Sequence, residues 1–97
     1  MNQLRFHSGA RAEFRESALF YDGELPGLGA EFVAEVERTI QLIVTHPNIG
    51  SLLWGNFHRA LVRRFPFAVI YRAKDEVVYI VAVAHQRRRP NYWRSRR

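Results

Sequence analysis

Hydrophobic positions in this chain follow a helical period in the first half and an alternating one in the second. Residues 2–6, NQLRF, alternate Leu4 and Phe6 with Gln3 and Arg5, as a half-buried strand does. Ser8 then offers a hydroxyl cap to a helix running to about Asp22, where Ala10, Phe14, Ala18 and Tyr21 recur every three or four residues. Gly23 opens GELPGLG, whose proline and three glycines are expected to break that helix and reverse the chain. Over residues 28–45 a second helix is predicted, with Leu28, Phe32, Val36, Ile40, Ile43 and Val44 in one stripe. So short a connection implies an antiparallel helical hairpin. HPNIG closes it, because Pro47 cannot continue a helix.

Residues 51–56, SLLWGN, show no period and read as a loop holding a partly buried Trp54. From Phe57 the runs HRALVRRF, FAVIYRA and EVVYIVAVAH are rich in β-branched and aromatic residues, parted by Pro66 and by the turn-like KDE. Three strands in succession predict an antiparallel meander. The third is apolar on both alternations, Val77, Tyr79, Val81 and Val83 on one and Val78, Ile80, Ala82 and Ala84 on the other, so it is expected to be central. In the first run Leu61, Arg63 and Phe65 share one face and Ala60, Val62 and Arg64 the other, which sends one arginine to each side. The fold class is therefore α+β: an N-terminal strand, an antiparallel helical hairpin and a three-stranded antiparallel meander (β-α-α-β-β-β), with a short basic C-terminal segment. Ninety-seven residues suffice for one such domain, residues 1–97.

Charge sharpens the picture at the C-terminus. Residues 1–84 carry nine basic and nine acidic side chains, so the six arginines of HQRRRPNYWRSRR, residues 85–97, account for the net charge of +6. Residues 8–46 hold seven acids against three arginines, whereas residues 57–97 hold eleven basic residues against two acids. A basic half beside a sheet suits an acidic, partly disordered segment that folds on binding. Arginine fits that task because its planar fork pairs bidentately with carboxylates as with phosphates. Without cysteine there is no disulfide framework or thiolate metal site. No stretch has the length of a signal peptide or a membrane span, so a soluble, cytoplasmic protein without membrane contact is expected. No metal and no cofactor is expected either: His7, His46 and His58 lack ligand spacing, and no phosphate-binding glycine loop, HExxH or paired-carboxylate motif occurs.

Four patterns in order carry a resemblance: A..EF...A.FY on the first helix, GLG.EF..EVE..I..I..HP on the second, R.....FPF.V.Y across the middle strands, and AVAHQRR.P.YW..R at the end. Together they span nearly the whole chain, which resembles the ParE/RelE superfamily of toxins from bacterial type II toxin–antitoxin systems, most closely its ParE-like branch. The chain departs from it at Phe65-Pro66-Phe67, where the family often has FPY, and at Arg89, where an acid often precedes the proline. The resemblance implies a small toxin neutralised by a cognate antitoxin. It also implies one of two actions, inhibition of DNA gyrase in the ParE-like branch or ribosome-dependent cleavage of mRNA in the RelE-like branch.

Metal-independent RNA cleavage needs a proton acceptor, a proton donor and cations for the phosphorane. His85, Arg63, Arg64, Arg87 and Tyr92 are the candidates for that role. RelE-like enzymes typically also use lysines, and the sole lysine here, Lys74, lies in a turn. The gyrase-binding expectation therefore leads, with no catalytic residue assigned. For partner binding the expected set is Arg63, Arg64, Arg87, Arg88, Arg89, Tyr92, Trp93, Arg94, Arg96 and Arg97. Pro90, Tyr92 and Trp93 are expected to anchor the tail with its arginines outward, so a chain ending at residue 93 should keep its fold.

Overall fold

The computed structural model describes residues 3–96, and in it the change of period marks the passage from helices to sheet. Strand β1 (Gln3–Phe6) leads into α1 (Ser8–Glu24), and a short turn joins that helix to α2 (Leu28–Thr45). The strands β2 (Ser51–Leu52), β3 (His58–Leu61), β4 (Phe67–Lys74) and β5 (Val77–His85) follow. All five strands form one sheet in the order β1-β5-β4-β3-β2. β1 runs parallel to β5, and the other pairs are antiparallel. The expected α+β order holds, and β5 is an inner strand covered on both faces. Asn2, the first residue of the expected N-terminal strand, lies outside the described residues.

The helical hairpin covers one face of the sheet. Phe32 is fully buried at its centre, with the rings of Phe14, Tyr21, Phe65 and Phe67 between 4.9 and 6.1 Å away. Offset and edge-on rings at such spacing add to the burial energy of each aromatic side chain. Tyr71 closes the far end of this core. Its hydroxyl donates to the Pro47 carbonyl at 2.7 Å and accepts from the Gly50 N–H at 3.0 Å, tying the turn after α2 to the sheet.

Local chemistry shifts several boundaries. The cap of α1 is His7, not Ser8: the imidazole Nδ1 accepts from the Gly9 N–H at 2.9 Å. Helical packing carries α1 through Gly23 to Glu24, and the reversal falls at Gly27, whose φ of 92° favours glycine. Asp22 supports that turn by accepting from the N–H groups of Gly27 and Gly29. The stretch expected as a loop contains β2, which pairs with His58 and Arg59 and extends the meander by one short strand. Trp54 beyond it is more exposed than expected, at 51%.

Two departures from strict alternation matter for function. β3 ends at Leu61 instead of continuing to Phe65, and Arg64 takes a left-handed φ of 71°. Val62 and Phe65 then both turn into the helix-side core, leaving Arg63 and Arg64 both exposed. In β5 the pairing passes from Ala82 opposite Ile70 to Ile80 opposite Tyr71, so Val81 is an extra, bulged residue. A bulge shifts the phase of a strand. Val78, Ile80 and Val83 consequently all face the helices, while Ala82 and Ala84 face the other side.

Candidate functional site

The C-terminal segment covers the face of the sheet opposite the helices. After His85 the chain descends through tight turns, with N–H groups of Arg88, Tyr92, Arg94 and Arg96 each donating to the carbonyl three residues earlier. Asn91 accommodates a positive φ of 62°, which asparagine tolerates better than most residues. Trp93 is buried against Phe57, ring centres 4.8 Å apart, above Ala68, Ala82 and Ala84. Small residues on β4 and β5 leave the depth that the indole fills. The expected anchoring by Trp93 is thus a packed second core.

One acid organises the rest of the segment. Glu13, on α1, accepts from Arg96 at 3.1 and 2.9 Å, from the Tyr92 hydroxyl at 2.7 Å and from the Val83 N–H at 3.0 Å. Arg96 also donates to the Val81 carbonyl at 3.0 Å. Two backbone groups beside the bulge, past the last pairing with β1, are thereby satisfied by side chains. Gly9 makes room for this clamp: a Cβ there would lie 2.6 Å from Arg96 Cζ. Arg96 is therefore part of the anchor and not one of the outward arginines, which revises the expected position of the last fixed residue.

Beside the clamp opens a hollow of about 450 Å³ whose lining includes Arg59, Leu61, His85, Arg88 and Arg89. The expected residues disperse around it. Arg88 and Arg89 line it together with Tyr92 and Trp93, and the Arg88 guanidinium lies 4.0 Å from the centre of the Tyr92 ring. Arg94 stacks over Trp54 at 3.8 Å, and Arg87 is exposed. Arg63 and Arg64 lie outside the lining. Arg64 is paired with Glu31 at 2.6 Å and reaches Glu35 at 3.8 Å. Arg97 lies outside the described residues. Glu13 and Arg59 were not among the expected residues. A single acid on a helix carries no signal of a contact some eighty residues away, and Arg59 becomes notable only once β3 is placed at the hollow's edge.

The geometry constrains what these groups can do. Burial, then the hydrogen bond to Glu13 and its negative charge, push the Tyr92 phenol well above the usual tyrosine range, so its proton stays on oxygen. That hydroxyl is committed as a donor to an internal carboxylate. His85 Nδ1 accepts from the Arg87 N–H at 3.0 Å, which leaves the ring proton on Nε2. Among the described residues no carboxylate lies in ion-pair range of Arg59, Arg87 or Arg89, so these arginines form an open cationic rim. No helix is long and apolar enough to cross a membrane among the described residues.

Comparison with known proteins places this arrangement. A sequence model described as "ParE toxin of type II toxin-antitoxin system, parDE" matches residues 4–90. Toxin ParE2 from two strains of Mycobacterium tuberculosis is 28% identical over 90 residues, covering 92% of this chain and 86% of the relative. Among solved structures, the chromosomal ParDE system of P. aeruginosa superposes with a TM-score of 0.76 at 17% identity, over 88% of this chain and 96% of that one. The isolated E. coli RelE toxin superposes at 0.68 and 21% identity, over 95% and 92% of the two chains. The intact E. coli RelBE toxin–antitoxin complex contains a chain that superposes at 0.67 and 20% identity, over 88% and 96%. These structures share the fold, and the family match over nearly the whole length does more: the chain belongs to the ParE toxin family of type II toxin–antitoxin systems.

Proposed function

We propose that this ParE-type toxin acts in the cytoplasm by binding a protein target, DNA gyrase, through the tail face and its arginine rim, with no bond-breaking chemistry of its own. A cognate antitoxin with an acidic, partly disordered C-terminal segment neutralises it by occupying the same basic half. One observation carries the preference for binding: two of the groups that RNA cleavage would call on for proton transfer, Tyr92 and His85, have hydrogen bonds within the fold. The Tyr92 hydroxyl keeps its proton and donates a hydrogen bond to Glu13, and the Nδ1 of His85 accepts from the Arg87 N–H. What faces outward is Arg59, Arg87 and Arg89, which have no carboxylate in ion-pair range among the described residues, next to the exposed Leu53 and Leu61, the composition of an interaction surface.

A RelE-like ribosome-dependent endoribonuclease is the second reading, favoured by the hollow that gathers His85 with Arg59, Arg88 and Arg89. Regulated expression in bacteria separates the two. Arrest of DNA synthesis with induction of the DNA-damage response, while transcripts remain intact, supports the gyrase reading. Codon-positioned mRNA cuts that disappear in His85→Ala support the nuclease and overturn the first reading.

A further inference from the structure

The outer edge of β1 and a hollow beside it enter none of the functions above. The Gln3 N–H donates to the Glu76 carbonyl at 2.7 Å and the His7 N–H to the Ile80 carbonyl at 2.9 Å. In a parallel pairing the N–H and C=O of one residue point to the same side, and successive residues alternate. Gln3, Arg5 and His7 therefore turn toward β5, while the N–H and C=O of Leu4 turn outward, where the sheet has no further strand among the described residues. An open edge of this kind is a template for another extended chain.

Beside that edge, on the helix side, β1, α1 and α2 enclose a hollow of about 550 Å³. Its floor is apolar, with Leu4, Phe6, Phe14 and Ile40, and Leu4 itself is 39% exposed. Arg11 on α1 and Glu37 on α2 complete the lining, and both are exposed. Neither forms an ion pair with the other or with any other charge among the described residues; Arg11 rests over the Phe6 ring, 5.6 Å from its centre. The hollow thus offers one cation and one anion. A partner of a single sign would leave one of them opposed, so an acidic peptide or a nucleic acid matches it poorly. A second copy of this chain matches it well, because a two-fold axis brings Arg11 of each copy toward Glu37 of the other.

We propose that two copies of this chain associate through β1, antiparallel and with Leu4 opposite Leu4, so that their sheets become continuous. Each Leu4 then exchanges both of its outward main-chain hydrogen bonds with the other. Arg5 stands opposite Gln3 of the second copy, so like charges do not meet, and the two apolar floors join. With the two-fold axis perpendicular to the sheet, both helical hairpins lie on one side and both tail faces stay open on the other. The dimer is bivalent, presenting two arginine rims on one surface. A strand of four residues and one hollow from each copy make a small interface, so the association is weak, micromolar and dependent on concentration.

Sedimentation of the full natural chain over a concentration series tests the proposal, with exchange of the Leu4 amide followed in parallel. A monomer–dimer equilibrium is expected, with the Leu4 amide exchanging more slowly as the dimer fills. Arg11→Glu and Glu37→Arg should each weaken dimerisation about 10-fold or more, and the double variant should restore it, because the pairs re-form with their signs exchanged. Leu4→Lys sets like charges opposite each other and should weaken it as well. All three side chains are exposed, and thermal unfolding reports whether each variant folds; should Leu4→Lys not fold, the charge exchange decides the matter alone. A chain that stays monomeric throughout, or a dimer that ignores the single charge variants or is not restored by the double one, overturns the proposal. Protection of Leu4 that appears only with the antitoxin encoded beside the toxin gives the edge to that partner and overturns it too.

Discussion

Arg96 and Glu13 meet as a two-pronged ion pair across 83 residues of sequence, with Nη1 3.1 Å from Oε1 and Nη2 2.9 Å from Oε2. Paired donors on one carboxylate are stronger and more directional than single contacts. The pair binds the last turn of the tail to the first helix, so the tail face is shaped by α1 as much as by the sheet beneath it. Removing one partner strands the other.

Glu13→Ala therefore costs more than Arg96→Ala. Glu13 serves Arg96, Tyr92 and Val83 together, and its loss is expected to lower unfolding free energy by about 2–4 kcal/mol, against about 1–2 kcal/mol for Arg96→Ala. Urea unfolding of both single variants and the double variant measures the coupling, which should exceed about 0.5 kcal/mol. A chain ending at residue 93 keeps Trp93 and is expected to fold, but with a loss at least as large as that of Arg96→Ala.

Gly9 gives a test of the same clamp from the other side. Alanine is a better helix former than glycine by about 1 kcal/mol, yet its Cβ would fall on the Arg96 guanidinium. Gly9→Ala is expected to be neutral or destabilising in the natural chain and stabilising by about 0.5–1 kcal/mol in the Arg96→Ala background. A sign that does not change between the two backgrounds would remove the clamp from the explanation.

Tyr92 predicts an alkaline limit. Its phenol is pushed above the ordinary value of about 10, so the folded state holds that proton more tightly than the unfolded chain does. The sign follows: this stabilisation is complete below about pH 10 and is lost as pH rises from there toward the folded-state value. Ultraviolet titration should show a late-ionising tyrosine that is missing in Tyr92→Phe, and stability above pH 10 should fall less steeply in that variant.

Arg64 separates structure from function. Its left-handed backbone suits glycine, and its ion pair with Glu31 is solvent-exposed at both ends. Arg64→Gly relieves that backbone conformation but also removes the guanidinium 3.8 Å from the buried Glu35 carboxylate, so the two effects oppose and the thermal midpoint is expected to change little. Reduced toxicity in a variant so stable would assign the side chain to partner binding.

Much of this was legible in the chain itself. The stripe from Leu28 to Val44, the change of period at Phe57 and the two apolar faces of β5 report burial directly, because the side chains that make the core are the ones that set the pattern. Register was less accessible. The Val81 bulge leaves no mark in a run where either phase is apolar, and the end of β3 depends on Arg64 accepting a conformation that its residue type disfavours. At the site, Trp93 and Tyr92 were visible as anchors because aromatic rings after a buried strand have to pack somewhere. Glu13 was invisible, since its role comes from where α1 crosses the bulge. Part of the counter-charge for the tail's arginines lies on the first helix, in Glu13, which pairs with Arg88 and Arg96.

The central proposal, action by binding a protein target without cleavage, is tested most directly with purified components. DNA gyrase is assayed for supercoiling with the toxin and with an Arg87→Glu/Arg89→Glu double variant, alongside a translation system probed for mRNA cuts. The expected result is inhibition of supercoiling by the natural chain, loss of inhibition in the arginine variant, and intact mRNA throughout. Undisturbed supercoiling together with codon-positioned cuts that vanish in His85→Ala would contradict the account.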